Sequence, residues 1–576
     1  MPAWKKKSGS CGYDIYPSHK IAEGRIFSGY PALADAMADK NIVAIDGYQG
    51  VFFHSFAKNI TDALKLKGLS VQIIETSALM KTGEEISKLI SPFTGGNDPL
   101  FGKKSTLSLI DFFDKKKIEE ADLCSSSGIS LIAGPGASLL CNNDLTVYID
   151  IPKNEIQYRM RAGTAFNLGA DYTSDPKEMY KRAYFVDWVV LNRHKEKITG
   201  TIDIFVDGQR DECPLWMWAP DLRSALYEMS HSFFRARPWF EPGAWGGTWI
   251  RDNISGLSSS VPNYAWSFEL ITPENGLIIE SSSLLFEISF DTLMYLHAVD
   301  VLGDCYNRFG AEFPIRFDFL DTFDGGNLSL QCHPRPEYIR DNFGESFTQE
   351  EAYYILDTKD DARVYLGFNE DTDRDKFEKA LLESYNDNTP FDADRYISKL
   401  PASRHDLFLI PYGTIHGSGK NNLVLEISST PYIYTFKMYD WLRLDLDGKP
   451  RPLNIHRGME NLYFDRKGSY VKERLISRPV MIESGHDWEL WHLPTHETHL
   501  YDVQRYKFKT AVEVKTDNKC LVMSLVEGSE IETESPGGRK HVFHFAETFV
   551  IPAAAGSVRI KNLSEKDAMI VKAFVK

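Results

Sequence analysis

Hydrophobic runs and polar gaps divide the chain into two textures. Residues 42–45, Ile-Val-Ala-Ile, form a continuous apolar run that predicts a buried strand; glycines at 47 and 50 predict a turn, and the stretch from there to Leu64 predicts a helix. Further apolar strands are expected at residues 69–74, 129–133 and 145–151, with helical spans between them. Strands alternating with helices predict βαβ units and a parallel sheet. From Thr201 the pattern changes. An alternating aromatic strand is expected at residues 264–269, another strand at 312–321, a charged helix at 371–385 and an apolar strand from 407 to 412. Short strands punctuated by Gly and Pro predict a β-sandwich or barrel. A last block repeats the idea, and its Ile551-Pro-Ala553 before Gly556 parallels Ile410-Pro-Tyr-Gly413. The expectation is a multi-domain protein: an α/β unit over residues 1–200, a β unit with a helical insertion over 201–477, and a second β unit over 478–576.

One stretch carries candidate chemistry. In a strand reading of Leu328-Ser-Leu-Gln-Cys-His-Pro334, side chains alternate, so Ser329, Gln331 and His333 share one face while Leu328, Leu330 and Cys332 take the apolar one. Glu351, at the head of the next strand-like run, and His416, after a Pro-Tyr-Gly turn, complete a candidate four-ligand set. Two imidazoles, a carboxylate and an amide oxygen are acceptable to Zn²⁺. Spacing alone leaves open whether His333 is a ligand or a satisfied polar residue, and whether Glu351 is a ligand or a surface charge beside Glu350.

Composition narrows the partners. With 576 residues, 43% of them hydrophobic, and a formal charge of -16, the chain has the size for several cores and lacks the concentrated basic face that nucleic-acid binding needs. The seven cysteines are scattered without a C-x-x-C pair, which fits free thiols in a reducing compartment. No apolar run approaches the ~18 residues of a membrane span, and none follows the basic start Met1-Pro-Ala-Trp-Lys-Lys-Lys. The expectation is a cytoplasmic protein with a small-molecule substrate, no nucleic-acid partner and no membrane.

Two family resemblances sharpen these expectations. Residues of about 35–200 resemble the uridine-kinase branch of P-loop kinases through the turn at 47–55, Asp98-Pro-Leu-Phe-Gly102, Ala133-Gly-Pro-Gly136, Asp144-Leu-Thr-Val-Tyr-Ile-Asp150 and Glu155-Ile-Gln-Tyr-Arg-Met-Arg161. A working phosphate loop needs a lysine and a close-approach glycine, and here those places hold Phe53 and Phe52. A degenerate nucleotide site is therefore expected, with Arg159 and Arg161 as anion contacts or a solvated basic face.

Residues of about 240–576 resemble class I mannose-6-phosphate isomerases, the zinc-dependent cupin aldose–ketose isomerases, through Trp245-Gly-Gly247, Trp266-Ser, Phe313-Pro, Gln331-Cys-His-Pro334, Glu351, Ile410-Pro-Tyr-Gly-Thr-Ile-His-Gly417, Glu426-Ile-Ser-Ser429 and Tyr439-Asp440. The resemblance implies a double cupin barrel, one Zn²⁺ held by Gln331, His333, Glu351 and His416, and conversion of mannose 6-phosphate to fructose 6-phosphate. Where the family places two lysines and an arginine, this chain has Asp318, Gln349 and Lys437. Lys437 is the candidate catalytic cation; Arg335, Lys420 and Arg316 are unmatched cations that either compensate for the missing lysines or are surface charges, the surface reading being favoured for each, with Arg335 and Lys420 kept as candidate substrate contacts; Glu426 is a base or a buried strand partner. Beside the isomerase stand two other readings: a sugar or sugar-phosphate binding protein without turnover or with altered specificity, and a nucleotide-dependent kinase fused to a cupin.

Overall fold

The computed structural model describes residues 1–4, 12–123, 128–170 and 174–576. Lys5 to Lys7, Cys11 and Cys124 lie outside the described residues. Cys141, Cys213, Cys305, Cys332 and Cys520 are free thiols, and no helix among the described residues is long and apolar enough to cross a membrane.

The expected apolar runs form a parallel sheet. In space its order is Phe27–Ser28, Leu215–Trp218, Ile204–Asp207, Leu145–Asp150, Ile42–Gly47, Ile129–Ala133 and Val71–Glu75. From Ile204–Asp207 to Val71–Glu75 the strands run parallel, and Leu215–Trp218 runs antiparallel to its neighbour. Strands buried on both faces read as unbroken apolar runs, which is why this unit was legible. The boundary expected at 200 falls inside it: the sheet takes its next strands from beyond that point, because Ile204–Asp207 pairs directly with Leu145–Asp150.

The loop after Ile42–Gly47 leads into the helix Phe53–Leu66. Gly47 is required by close approach, since a Cβ there would lie 2.5 Å from the Ile149 carbonyl oxygen, with the Phe53 ring 3.1 Å away. Arg159 stacks 4.2 Å above the Phe52 ring and donates to the carbonyls of Gly50 (2.7 Å) and Gly208 (2.9 Å). Its Nε donates to Glu155 at 3.1 Å, so the guanidinium clamps the loop with its donors spent on protein carbonyls and a carboxylate.

Beneath the loop, Asp46 accepts from the backbone of Gly47, Gly136 and Ser138, from Ser138 Oγ, and pairs with His194 Nε2 at 2.8 Å. Burial pushes its carboxyl up, but His194 and the Ser138 donors outweigh it and hold the net value below the ordinary range. A depressed carboxyl adds stability that is full above its unfolded value, ~3.9, and is lost as pH falls through the lower folded value. Asp46→Asn is expected to lower stability at pH 7 by about 1–3 kcal/mol. Urea midpoints measured from pH 7 to 3 should show that gap closing as the solution becomes acidic; a gap independent of pH would refute the linkage.

The second texture folds into two facing antiparallel sheets. One runs Leu407–Ile410, Glu351–Thr358, Asn422–Ser429, Ile315–Asp321, Trp266–Leu270, Trp239–Glu241; the other Ile397–Pro401, Arg363–Phe368, His416–Ser418, Leu330–Cys332, Phe436–Tyr439. Their inner faces meet in a core that includes Tyr353, Ile355, Leu366, Phe408, Ile410 and Val424. The charged segment is the helix Arg374–Asp387, capped by Asp373, whose side chain accepts from Lys376 N. The last block forms a six-stranded and a four-stranded sheet over its own core, and it braces the cupin: Tyr501 donates to the Ile427 carbonyl and Thr498 to Glu350.

The α/β unit docks on the cupin through a shared apolar cluster in which Phe101 packs against Phe343, Tyr434 and Phe436. Behind it, Lys195 is fully buried and bonds Asp150 (2.8 Å) and Asp291 (2.6 Å), while Lys153 reaches the other oxygen of Asp291 at 3.0 Å.

Candidate metal centre and the cavity above it

Cross-strand register brings the predicted ligands together. Gln331 is opposite His416 on one side and Lys437 on the other, while Glu351 begins the strand packed across the barrel. His333, Glu351 and His416 are buried, and their ligand atoms all lie within 4.8 Å of one another, the one such triad among the described residues. His333 Nε2 lies 2.9 Å from Glu351 Oε1, and His416 Nε2 lies 3.4 Å from Oε2.

Tautomers follow from the outward nitrogens. His333 Nδ1 is 3.1 Å from the Tyr434 carbonyl and His416 Nδ1 is 2.9 Å from the Thr414 carbonyl, so both Nδ1 atoms donate outward and both Nε2 lone pairs face inward. His333 Nε2 and Glu351 Oε2 make no hydrogen bond in this arrangement. Inward lone pairs around an ionised carboxylate are a cation-binding donor set. Gln331 stands beside them, its Oε1 accepting from Ser329 Oγ at 3.0 Å and its Nε2 3.4 Å from His416 Nε2. Turning that amide over points Oε1 inward and lets Nε2 donate to Ser329.

Of the four candidate ligands, Gln331 and Glu351 line a cavity of about 630 Å³, a size within the ~300–1,000 Å³ of small-molecule sites. Arg316, expected at the surface, lies in its wall and bridges carboxylates: it contacts Glu426, lies 3.2 Å from Asp318 and 3.7 Å from Glu351, and donates to Ser428 at 2.8 Å. Burial pushes Asp318 up to about 6 and Glu426 well above its ordinary range, against the pull of Arg316. Gln349, where the family resemblance expects lysine, donates to Glu351 Oε1 at 2.6 Å. Lys437 lines the cavity, and burial, reinforced by Arg451, brings its ammonium down to about 8. Trp239, Phe268 and Trp266 line another wall as a stacked series, with centroids 4.2 and 6.1 Å apart.

Two candidates do not join this group. Arg335 caps the helix Pro336–Phe343, stacks 4.0 Å over Tyr463 and donates to the carbonyls of Asn461 and Leu462. Lys420 sits exposed on the tight turn between His416–Ser418 and Asn422–Ser429, its backbone held by Asn327. Position next to a ligand in sequence did not translate into position beside it in space, because the chain leaves the site at a helix start and at a turn. Arg316 had a readable signal: it is two residues from Asp318 on one strand and so shares its face. Arg161, a candidate anion contact, does reach the cavity wall, whereas the contributions of Gln157, Lys177, Tyr180 and Lys181 had no such signal, since they come from the other unit.

A family described as "Domain of unknown function (DUF8485)" matches residues 29–231. The mannose-6-phosphate isomerase of Bacillus subtilis is 23% identical over 329 residues, 57% of this chain and 96% of the relative. That of Streptococcus mutans is 25% identical over 219 residues, 38% of this chain and 64% of the relative. The crystal structure of a Bacillus subtilis mannose 6-phosphate isomerase superposes with a TM-score of 0.49 at 21% identity, covering 59% of this chain and 99% of that one. The chain is thus homologous to class I mannose-6-phosphate isomerases over about 57% of its length.

Proposed function

We propose that the protein is a zinc-dependent aldose–ketose isomerase of a sugar phosphate, interconverting mannose 6-phosphate and fructose 6-phosphate. The observation that carries this is the inward-facing pair of Nε2 atoms around Glu351, each histidine locked by a carbonyl at its other nitrogen. His333, Glu351, His416 and Gln331 would hold one Zn²⁺, which when bound supplies Lewis-acid polarisation of the sugar's carbonyl and hydroxyl oxygens. The protein's own groups do the rest. Lys437, paired across the strands with Gln331, offers its ammonium to the negative charge that develops as a proton moves between C1 and C2. Glu426 lines the cavity as the candidate base for that proton, held in place by Arg316 and Ser428. The stacked aromatic wall gives the C–H face of a sugar ring a flat apolar surface and excludes water.

The α/β unit is read as a degenerate P-loop kinase-like fold whose loop is closed by Phe52, Phe53 and Arg159. Metal-loaded protein should interconvert the two hexose phosphates in a coupled assay, and chelator-treated protein should not until zinc is restored. Replacement of the family's lysines by Asp318 and Gln349 favours a second reading, a sugar-phosphate binding protein. Thermal stabilisation by the hexose phosphate without any turnover would establish that reading instead.

A further inference from the structure

The cavity is built by both units. Its floor comes from the cupin sheets, while Phe101, Gln157, Arg161, Lys177 and Tyr180 of the α/β unit form the facing wall. This wall is fastened in place: Arg457 pairs with Asp98 at 2.7 Å, Arg161 with Glu241 at 3.0 Å, and Gln157 and Tyr180 both donate to Glu274. At the rim, Lys177 is held by two carboxylates of the cupin, Asp445 at 3.4 Å and Asp447 at 3.1 Å. An ammonium has three donors, so one stays available. Arg451 of the cupin lines the same cavity, its side chain 11% exposed and paired with Asp440 at 3.1 Å through one terminal nitrogen. Arg451 follows a hairpin in which Leu444 bridges Pro450 and Asp445 N donates to the Lys449 carbonyl, so Arg451 and the Asp445 that holds Lys177 lie at the same end of the cavity, where Asn454 N donates to the carbonyl of Lys437.

We propose that Lys177 and Arg451 form a composite anion subsite for the substrate's phosphate, so that the α/β unit is a specificity-determining part of the site. Arg451 supplies a guanidinium fork suited to a phosphate, and Lys177 adds a point charge from the opposite wall. The assignment of the anion to a sugar phosphate rests on the isomerase reading; the subsite itself rests on the two cations.

The test uses full-length, zinc-loaded protein carrying Lys177→Gln or Lys177→Glu. Lys177 is half exposed and its ion pairs contribute little to stability, so both variants should fold. For Lys177→Gln the KM for mannose 6-phosphate should rise about tenfold, and further for Lys177→Glu, with kcat within about twofold. Thermal stabilisation by inorganic phosphate, measured in parallel, should weaken in the same order. If wild-type protein turns over no hexose phosphate yet is stabilised by phosphate in a Lys177-dependent way, the isomerase reading falls and the subsite stands. If neither variant changes KM or phosphate affinity, the subsite is overturned whatever the turnover.

Discussion

His416→Ala is expected to abolish stoichiometric metal binding and to lower turnover of the hexose phosphate by at least about 10³-fold, the equivalent of the several kcal/mol a Lewis acid supplies. The prediction rests on geometry. His416 contributes one of two inward Nε2 atoms, and its Nδ1 is already committed to the Thr414 carbonyl, so no rotation of a neighbour replaces it. His333→Ala should behave alike. Ser329→Ala is the graded control: it removes the hydroxyl that holds Gln331 and should weaken metal affinity by about 10–100-fold, as expected for a group that orients a ligand. Metal content by mass spectrometry after gel filtration, alongside competition with a chelator, reads both effects. A His333→Ala, His416→Ala double variant that still carried one metal ion per chain would remove the proposed centre.

Lys195→Met should destabilise the protein by about 3–5 kcal/mol, because truncating one member of a buried ion cluster strands the others. Lys195 is 0% exposed and holds Asp150 and Asp291 together. Burial disfavours charge on Asp291, yet Lys153 and Lys195 bring its carboxyl down to about 2, and burial disfavours the Lys195 ammonium, yet the two carboxylates raise it. Because Asp150 and Lys195 belong to the α/β unit and Asp291 follows the strand Leu284–Ser289 beside the cupin, the loss should appear where the units join. Limited proteolysis should detect earlier opening, and the first transition in urea should move to lower denaturant. The exposed pair Lys115 and Glu119 provides the contrast, with Lys115→Met expected to change stability by less than ~1 kcal/mol. Equal effects at the two lysines would refute the role given to burial.

Much of the candidate centre could be read from residue order, and the reason is local geometry. Strand alternation puts Gln331 and His333 on one face whatever surrounds them, and the cupin turn carries His416 back opposite Gln331. The unbroken runs at 42–45 and 129–133 likewise declared a sheet covered on both sides. Arg316 was misplaced because a charged side chain in a strand is usually solvent-facing, and only the convergence of Asp318, Glu351 and Glu426 around it makes its burial favourable. Arg335 and Lys420 were misplaced for the opposite reason, since nearness along the chain says nothing once a helix cap or a turn redirects the backbone.

The sequence by itself determined the β and α/β textures and the order of the ligand motifs, because each is written within a few residues. Only the tertiary structure decided that the boundary lies beyond residue 200, that Arg316 enters the site, and that Lys177 faces a cavity floored by residues more than a hundred positions away. Those outcomes depend on how two independently patterned units bury their apolar faces against each other, and that docking has no periodicity for a sequence to display.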